Sequence, residues 1–427
     1  MKEINVTVIG SGSTYCPELV DGFLKAADHL KVKRLVLMDI DERKRVIVGG
    51  LCERMLKAAG SDCEVVMTDD LDASLKGADF VVTQIRVGKL WARYHDETIP
   101  LKYDLIGQET TGIGGFFKAL RTIPVIGHIA ERMEVICPGA VLINSTNPSG
   151  IVTEFLQNHT KIRSVGLCNV PIDMYDDIKE NLGDDVKITY VGLNHLSWVI
   201  SVIKDGEECI DRMFDEGFAP KTMANIHDDG FDLDCLRSVR GIPSSYLQYF
   251  YSREAKLAYL KREPRSRAEN CMEIEEKLLK IYADPFVTKT PELLGKRGGH
   301  KYSLVAVNLI DAIANDLRTE QVIDIRNNGT LDFMADDDVV EIAAYVGSDK
   351  ITPVTVPHFE NEHIKGLMRI VKAYEKLTVK AAVDGDDEAA LNALMLHPLV
   401  GDYKKAKACY EEMKIVNAEY LPQFFGF

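Results

Sequence analysis

The chain has 427 residues, 46% of them hydrophobic and 27% charged, with a formal net charge of −15. This is a globular composition with length for two or three domain-sized units. The acidic excess, 66 Asp and Glu against 51 Lys and Arg, argues against nucleic acid and anionic membrane as partners.

No apolar run approaches the ~20 residues of a membrane span. The N-terminus enters a strand-like run without the charged, apolar and small-residue succession of a signal peptide. Nine scattered cysteines with no C-x-x-C pattern speak against a disulfide framework. They lead to the expectation of a reducing, cytoplasmic location.

In chain order, apolar runs predict strands over residues 4–9, 34–38, 63–67, 80–85, 141–144 and 163–167. Helical patterns fall between them at 17–29, 42–59, 118–137 and 148–159. Strands this apolar, alternating with helices, predict a doubly wound, Rossmann-like parallel sheet, an α/β fold over residues 1–170. The pattern then changes. Residues 187–204 read as two strands broken around Gly192-Leu193-Asn194-His195. From about Pro243 helix-forming composition dominates, at 269–283, 304–316, 364–384 and 387–396, interrupted by strand-like runs at 321–326 and 351–356. Residues 171–427 therefore form a mixed, largely helical α+β part. It packs closely on the first, with the site in the cleft between them.

The first strand breaks into Gly10-Ser11-Gly12-Ser13-Thr14 before the first helix. Glycines in that context allow a tight turn and close approach to a pyrophosphate at a helix N-terminus. The third glycine of the fingerprint is replaced by Tyr15. Asp39, at the end of the second strand, is placed to bind ribose hydroxyls, which favours NAD over NADP, while Arg43 and Lys44 pull the other way. Gly10, Gly12, Ser13, Thr14, Asp39, Arg43 and Arg86 are the candidate cofactor-binding residues.

Polar residues crowd four further segments: Thr83-Gln84-Ile85-Arg86 with Arg93 beyond it, residues 107–115, Asn144-Ser145-Thr146-Asn147-Pro148, and Gly166-Leu167-Cys168-Asn169. Cys168 and Asn169 fall at a strand end, where open α/β sheets bind ligands. Cys168 and His195 together suit a divalent metal if substrate supplies the other ligands. On the residues alone, a buried cysteine and a hydrogen-bonded histidine are the better account, because metal motifs usually show two close pairs.

The blocks 6–13, 99–103, 107–112, 146–148, 166–171, 192–195, 242–249 and 297–303, in this order, resemble glycoside hydrolase family 4, and most of all its 6-phospho-β-glucosidase branch. The likeness spans residues 6 to about 310, and the tail after about 330 adds little. This family departs from the two-carboxylate scheme of most glycosidases. The resemblance implies NAD(H) and a divalent cation, usually manganese, held by Cys168 and His195. It implies oxidation at C3, deprotonation at C2, elimination at C1, water addition and re-reduction. Tyr246 matches the family's base, though Tyr249 and Tyr251 stand close by. Glu109 is placed to tune it, and Arg93 and Asn147 match positions that contact sugar and phosphate. Arg297 is a further phosphate candidate.

Where α-acting members carry Asp after the metal-binding Cys, this chain has Asn169. It can hydrogen-bond sugar or cofactor but cannot act as a general acid. The resemblance thus implies a 6-phospho-β-glucosidase for phosphorylated disaccharides such as cellobiose 6-phosphate, working as a homodimer or homotetramer. The alternatives are a family member acting on an unphosphorylated or α-linked sugar, a simple NAD-dependent sugar dehydrogenase, and an NADH-binding sensor.

Overall fold

The computed structural model describes residues 2–223, 225–297 and 301–426, so residues 298–300 of the block beginning at Arg297 lie outside the described residues. Six parallel strands form the N-terminal half: β1 (Lys2–Ile9), β2 (Leu30–Met38), β3 (Glu64–Thr68), β4 (Phe80–Thr83), β5 (Val141–Asn144) and β6 (Ser164–Gly166). They lie in the order 3-2-1-4-5-6, that of a dinucleotide-binding α/β sheet. Every residue of β4 and β5 is buried, as befits strands covered on both faces. Right-handed crossovers place the helices Cys16–Lys25 and Glu42–Ala58 on one face, and Gly112–Ile136 and Ser149–His159 on the other. The order reverses between β1 and β4, which opens the ligand crevice at their carboxyl ends.

The sheet continues beyond β6. The later strands are β7 (Lys187–Leu193), β8 (Leu196–Lys204), β9 (Glu207–Glu208), β10 (Ile242–Pro243), β11 (Thr319–Arg326), β12 (Val339–Val346) and β13 (Ile351–Pro353). β11 pairs antiparallel with β6, Asp324 opposite Gly166, and β12, β7, β8 and β10 follow outward. One ladder therefore joins the Rossmann-like half to the mixed α+β half. Helices such as Arg267–Tyr282, Tyr302–Asn315 and Glu362–Asp384 cover the latter.

Several elements differ from expectation, and the helices Lys89–Thr98, Val170–Leu182 and Tyr403–Val416 were not predicted. The strand β12 was not expected, yet it is buried at every position except Tyr345. The helix expected from residue 118 begins at Gly112. The sequence Gly112-Ile113-Gly114-Gly115 reads as a loop, but it forms the first turn of that helix. A Cβ at Gly114 would collide with the Gln108 carbonyl and lie 2.7 Å from that of Asp96. Glycine is used here for close approach of the preceding loop, not for flexibility. No helix among the described residues is long and apolar enough to cross a membrane, and none of the nine cysteines forms a disulfide.

Candidate active site

A cavity of about 880 Å³ opens at the reversal point. Gly10 leaves β1 with φ +89°, and a Cβ there would meet the carbonyl oxygen of Gln84, just past β4, at 2.8 Å. The Gly12 N–H donates to Asp39 Oδ2 at 2.7 Å and the Asp41 N–H donates to Asp39 Oδ1 at 2.8 Å. The carboxylate that ends β2 is thus fixed against the glycine turn. The helix Cys16–Lys25 follows with Pro17 in its first turn, so free N–H groups face the turn. Among the described residues, Tyr15 Oη and Gln84 Nε2 are buried without hydrogen-bond partners, and both residues are on the cavity wall. These features fit a dinucleotide.

On the opposite half, His195 occupies the two-residue turn between β7 and β8 with φ +64°. β10 pairs with β8, and the Ser244 N–H donates to the Ser197 carbonyl at 2.9 Å. The 3-10 turn Ser245–Leu247 then lays Tyr246 flat on the His195 ring, 3.8 Å between centroids and 7° between planes. His195 Nδ1 is 3.0 Å from Thr110 Oγ1. A proton on Nδ1, donated there, leaves Nε2 with the lone pair a metal needs. Burial, then the Lys118 charge, pushes His195 down to about 3, so the ring is neutral.

Cys168 follows β6 and is 2% exposed. Burial, then the Glu341 charge, pushes its thiol well above the ordinary value, a balance that a divalent cation reverses. Among the described residues no three His, Cys, Asp or Glu are grouped to hold a metal. Cys168 and His195 are the candidate donors, one sulfur and one imidazole. That chemistry suits a divalent transition ion whose remaining positions substrate or water fills.

Glu109 is the hub of the charged wall. Arg86 and Lys118 donate to its Oε2, the latter at 2.8 Å, and Arg93 Nη1 lies 2.8 Å from Oε1. Burial alone raises this carboxyl, but Arg86, Arg93 and Lys118 hold it well below the usual range. Arg93 Nε also donates to Glu97 at 2.7 Å, so the charges of the cluster largely offset one another, and what it offers a phosphorylated ligand is directed guanidinium N–H donors. Burial, then Arg86, also depresses Lys118 to about 7. Burial, then the Cys168 and Glu109 charges, pushes the Tyr246 hydroxyl up, while hydrogen bonds with Asn225 and Thr110 oppose this. Arg297 Nη2 donates to Glu275 at 3.2 Å and its guanidinium lies 5.2 Å from the Tyr15 ring, while its Nε has no partner among the described residues. Asn147 Nδ2 donates to the Tyr302 hydroxyl at 3.4 Å, and its Oδ1 is buried without a partner among the described residues.

All the candidates named from sequence line this one cavity except Thr14, Arg43 and Cys168. Cys168 adjoins Asn169, which does line it. Thr14 is fully buried, its carbonyl accepting from the Tyr282 hydroxyl at 2.8 Å. Arg43 donates to both carboxylate oxygens of Glu276, at 3.0 and 2.8 Å, and is not on the cavity wall. Sequence reasoning missed Thr110, Lys118, Asn225, Tyr302 and Tyr420, all of which are. The signal for one of them was present. Lys118, Val125, His128 and Ile129 line the cavity at helical spacing, all within the helix expected over 118–137.

Two family models match the chain: Family 4 glycosyl hydrolase over residues 5–184 and Family 4 glycosyl hydrolase C-terminal domain over residues 190–400. The chain is 40% identical to the probable 6-phospho-beta-glucosidase of Bacillus subtilis (strain 168), over 100% of this chain and 99% of that protein. It is 29% identical to the maltose-6'-phosphate glucosidase of Clostridium acetobutylicum, over 99% of this chain and 100% of that protein. The solved 6-phospho-beta glucosidase from Thermotoga maritima with manganese, NAD+ and glucose-6-phosphate superposes with a TM-score of 0.89 and 35% identity. The match covers 98% of this chain and 99% of that one. The chain belongs to family 4 of the glycosyl hydrolases.

Proposed function

We propose that the chain hydrolyses 6-phospho-β-glucosides, cellobiose 6-phosphate among them, with NAD(H) and a divalent cation, manganese, as cofactors. One observation carries the reading. The Asp39-bound glycine turn, the stacked His195–Tyr246 pair and the Glu109 cluster of cations open onto a single cavity. The greater likeness to the β-acting relative, 40% against 29% for the maltose-6'-phosphate glucosidase, supports the branch. Residues 1–170 hold the dinucleotide, and residues 171–427 supply His195 and Tyr246. Asp39 favours NAD, and the basic side chains that follow it are committed to acids: Arg43 to Glu276, Lys44 to Glu275 and Arg45 to Asp69. Nine unpaired cysteines support a cytoplasmic setting. The assembly we propose is a homodimer or homotetramer, to be checked by light scattering.

Bound in the cavity, the dinucleotide supplies a hydride acceptor and donor for C3, and the cation supplies a Lewis acid for the C3 oxygen. Cys168 and His195 hold the cation. With its own hydroxyl ionised, which the positive charge of the bound cation would favour, Tyr246 would take the proton from C2, allowing the C1 substituent to leave by elimination before water adds. The negative charge of Glu109 raises the proton affinity of Tyr246, and its three cations keep it ionised while they do so. Arg93, Arg297 and Asn147 hold the phosphate and sugar. Asn169 orients sugar or cofactor by hydrogen bonding.

The test is turnover in D₂O with mass spectrometry and NMR of the released sugar phosphate. Deuterium at C2 is expected, and Tyr246→Phe is expected to lose both exchange and turnover. A product without C2 deuterium overturns the mechanism. Net accumulation of NADH overturns it in favour of a dehydrogenase.

A further inference from the structure

The dinucleotide end of the cavity is finished by chain that lies beyond residue 400, where the second family model stops. The helix Tyr403–Val416 leads into the 3-10 turn Ala418–Tyr420, and Glu419 and Tyr420 line the cavity. The turn is fixed on both sides. Before it, Asn417 is 1% exposed, and its Oδ1 accepts from Arg121 Nη1 at 2.8 Å. After it, Leu421 is fully buried and Gln423 Nε2 donates to the Leu120 carbonyl at 3.2 Å. Both anchors, Leu120 and Arg121, lie on the helix Gly112–Ile136.

Tyr420 lies on Gly88, where a Cβ would come within 3.3 Å of the ring. The next residue, Lys89, donates to Asp41 at 2.8 Å. Asp41 in turn donates its N–H to Asp39, the carboxylate that marks the adenosine ribose in this fold. Between them Ile40 is 82% exposed and lines the cavity. Residues 40–41, 88–89 and 419–420 therefore meet on the Asp39 side of the cavity, presenting an apolar side chain and an aromatic ring.

We propose that Tyr420 binds the adenosine half of the dinucleotide, its ring forming an aromatic wall against the base. The proposal rests on the reading of the cavity as a dinucleotide site. Stacking on a base accounts for a loss of about 5-fold or more in affinity when the ring is removed.

The experiment measures dissociation constants for NAD+, ADP-ribose and nicotinamide mononucleotide by calorimetry, without sugar, for the full chain and for Tyr420→Ala, Tyr420→Leu and Tyr420→Phe. Leu keeps a side chain on Gly88 and guards against a variant that fails to fold. Ala and Leu are expected to weaken NAD+ and ADP-ribose by at least about 5-fold, with nicotinamide mononucleotide unchanged and Phe close to the parent. A smaller loss for ADP-ribose overturns the proposal. So does an equal loss for the mononucleotide, or a loss in Phe as large as in Ala. A parent chain that binds neither NAD+ nor ADP-ribose overturns the dinucleotide reading itself.

Discussion

Replacing Arg121 with Met puts a number on the buried pair beneath the cavity. Arg121 donates to both carboxylate oxygens of Asp96, at 3.0 and 2.6 Å, with the two side chains 1% and 0% exposed. Removing the guanidinium leaves a carboxylate in apolar surroundings without its partner, a loss of about 3–5 kcal/mol. Asn417 Oδ1 also loses its donor, about 1 kcal/mol more. The deficit depends on pH. Burial already raises the Asp96 carboxyl above its ordinary value, with Arg121 opposing, so Arg121→Met raises it further. A folded state with a raised carboxyl binds more protons than the unfolded chain, so stability recovers as pH falls through that window. Urea unfolding at pH 8 and pH 5.5 measures both effects, and the loss is expected to be larger at pH 8. Adding Asp96→Leu is expected to restore most of it, since an apolar pair replaces a buried ionic one at little net cost. A loss at pH 8 below about 1 kcal/mol, the value of an exposed pair, refutes the reasoning. Failure of the double variant to recover does so as well.

Cys168→Ser and His195→Ala are each expected to weaken Mn²⁺ binding more than about 100-fold, the upper range for losing an outer partner of a metal ligand. NAD+ affinity should hold, as calorimetry can show, and unchanged Mn²⁺ affinity counts against the assignment. His397 is 1% exposed; its Nδ1 accepts from the Leu399 N–H at 3.1 Å, which leaves Nε2–H to face Thr111 Oγ1 at 3.3 Å, and burial pushes the ring down to about 3. The unfolded chain therefore binds the extra proton between about pH 6.5 and 3, and stability falls by up to about 4–5 kcal/mol as pH drops through that window. Acid unfolding of His397→Gln should be shallower, and a profile identical to the parent's refutes this. Given α- and β-linked 6-phosphoglucosides with the same poor leaving group, kcat/KM should favour the β-linked one, because Asn169 cannot supply a proton. A faster α-linked substrate refutes the branch assignment.

The parallel half was legible because its strands are read locally. Val141-Leu142-Ile143-Asn144 is an apolar run closed by polar residues, and β5 occupies those same positions. The rule that ligands bind at strand ends then made Asp39, Asn147 and Asn169 visible as candidates. β12 was not legible because a carboxylate, Glu341, interrupts its apolar run, which counts against a buried strand. The fold satisfies that carboxylate with partners far away in sequence, the Tyr190 hydroxyl at 2.5 Å and Asn194 Nδ2 at 3.1 Å. No window of local sequence contains them. The same holds for Tyr420, whose turn is tied to the cavity by contacts far away in sequence, among them Asn417 with Arg121, 296 residues earlier.

The choice among Tyr246, Tyr249 and Tyr251 shows where composition and spacing stop. All three carry the same phenol within six residues of chain, and each is a plausible packing aromatic. The structure gives each a different neighbour. The Tyr251 hydroxyl accepts from Trp198 Nε1 at 3.0 Å, and Tyr249 lies under the Lys256 ammonium at 5.6 Å. Tyr246 alone of the three lines the cavity, flat against His195. What selects it is the short pairing of β10 on β8, which sets Pro243 opposite Trp198. That register brings the turn after β10 level with the turn before β8. A shift of one residue would send the side chains of this edge to the opposite face of the sheet. The identity of the proposed base is therefore a property of strand register, fixed by two backbone hydrogen-bonding segments that contain no catalytic candidate themselves.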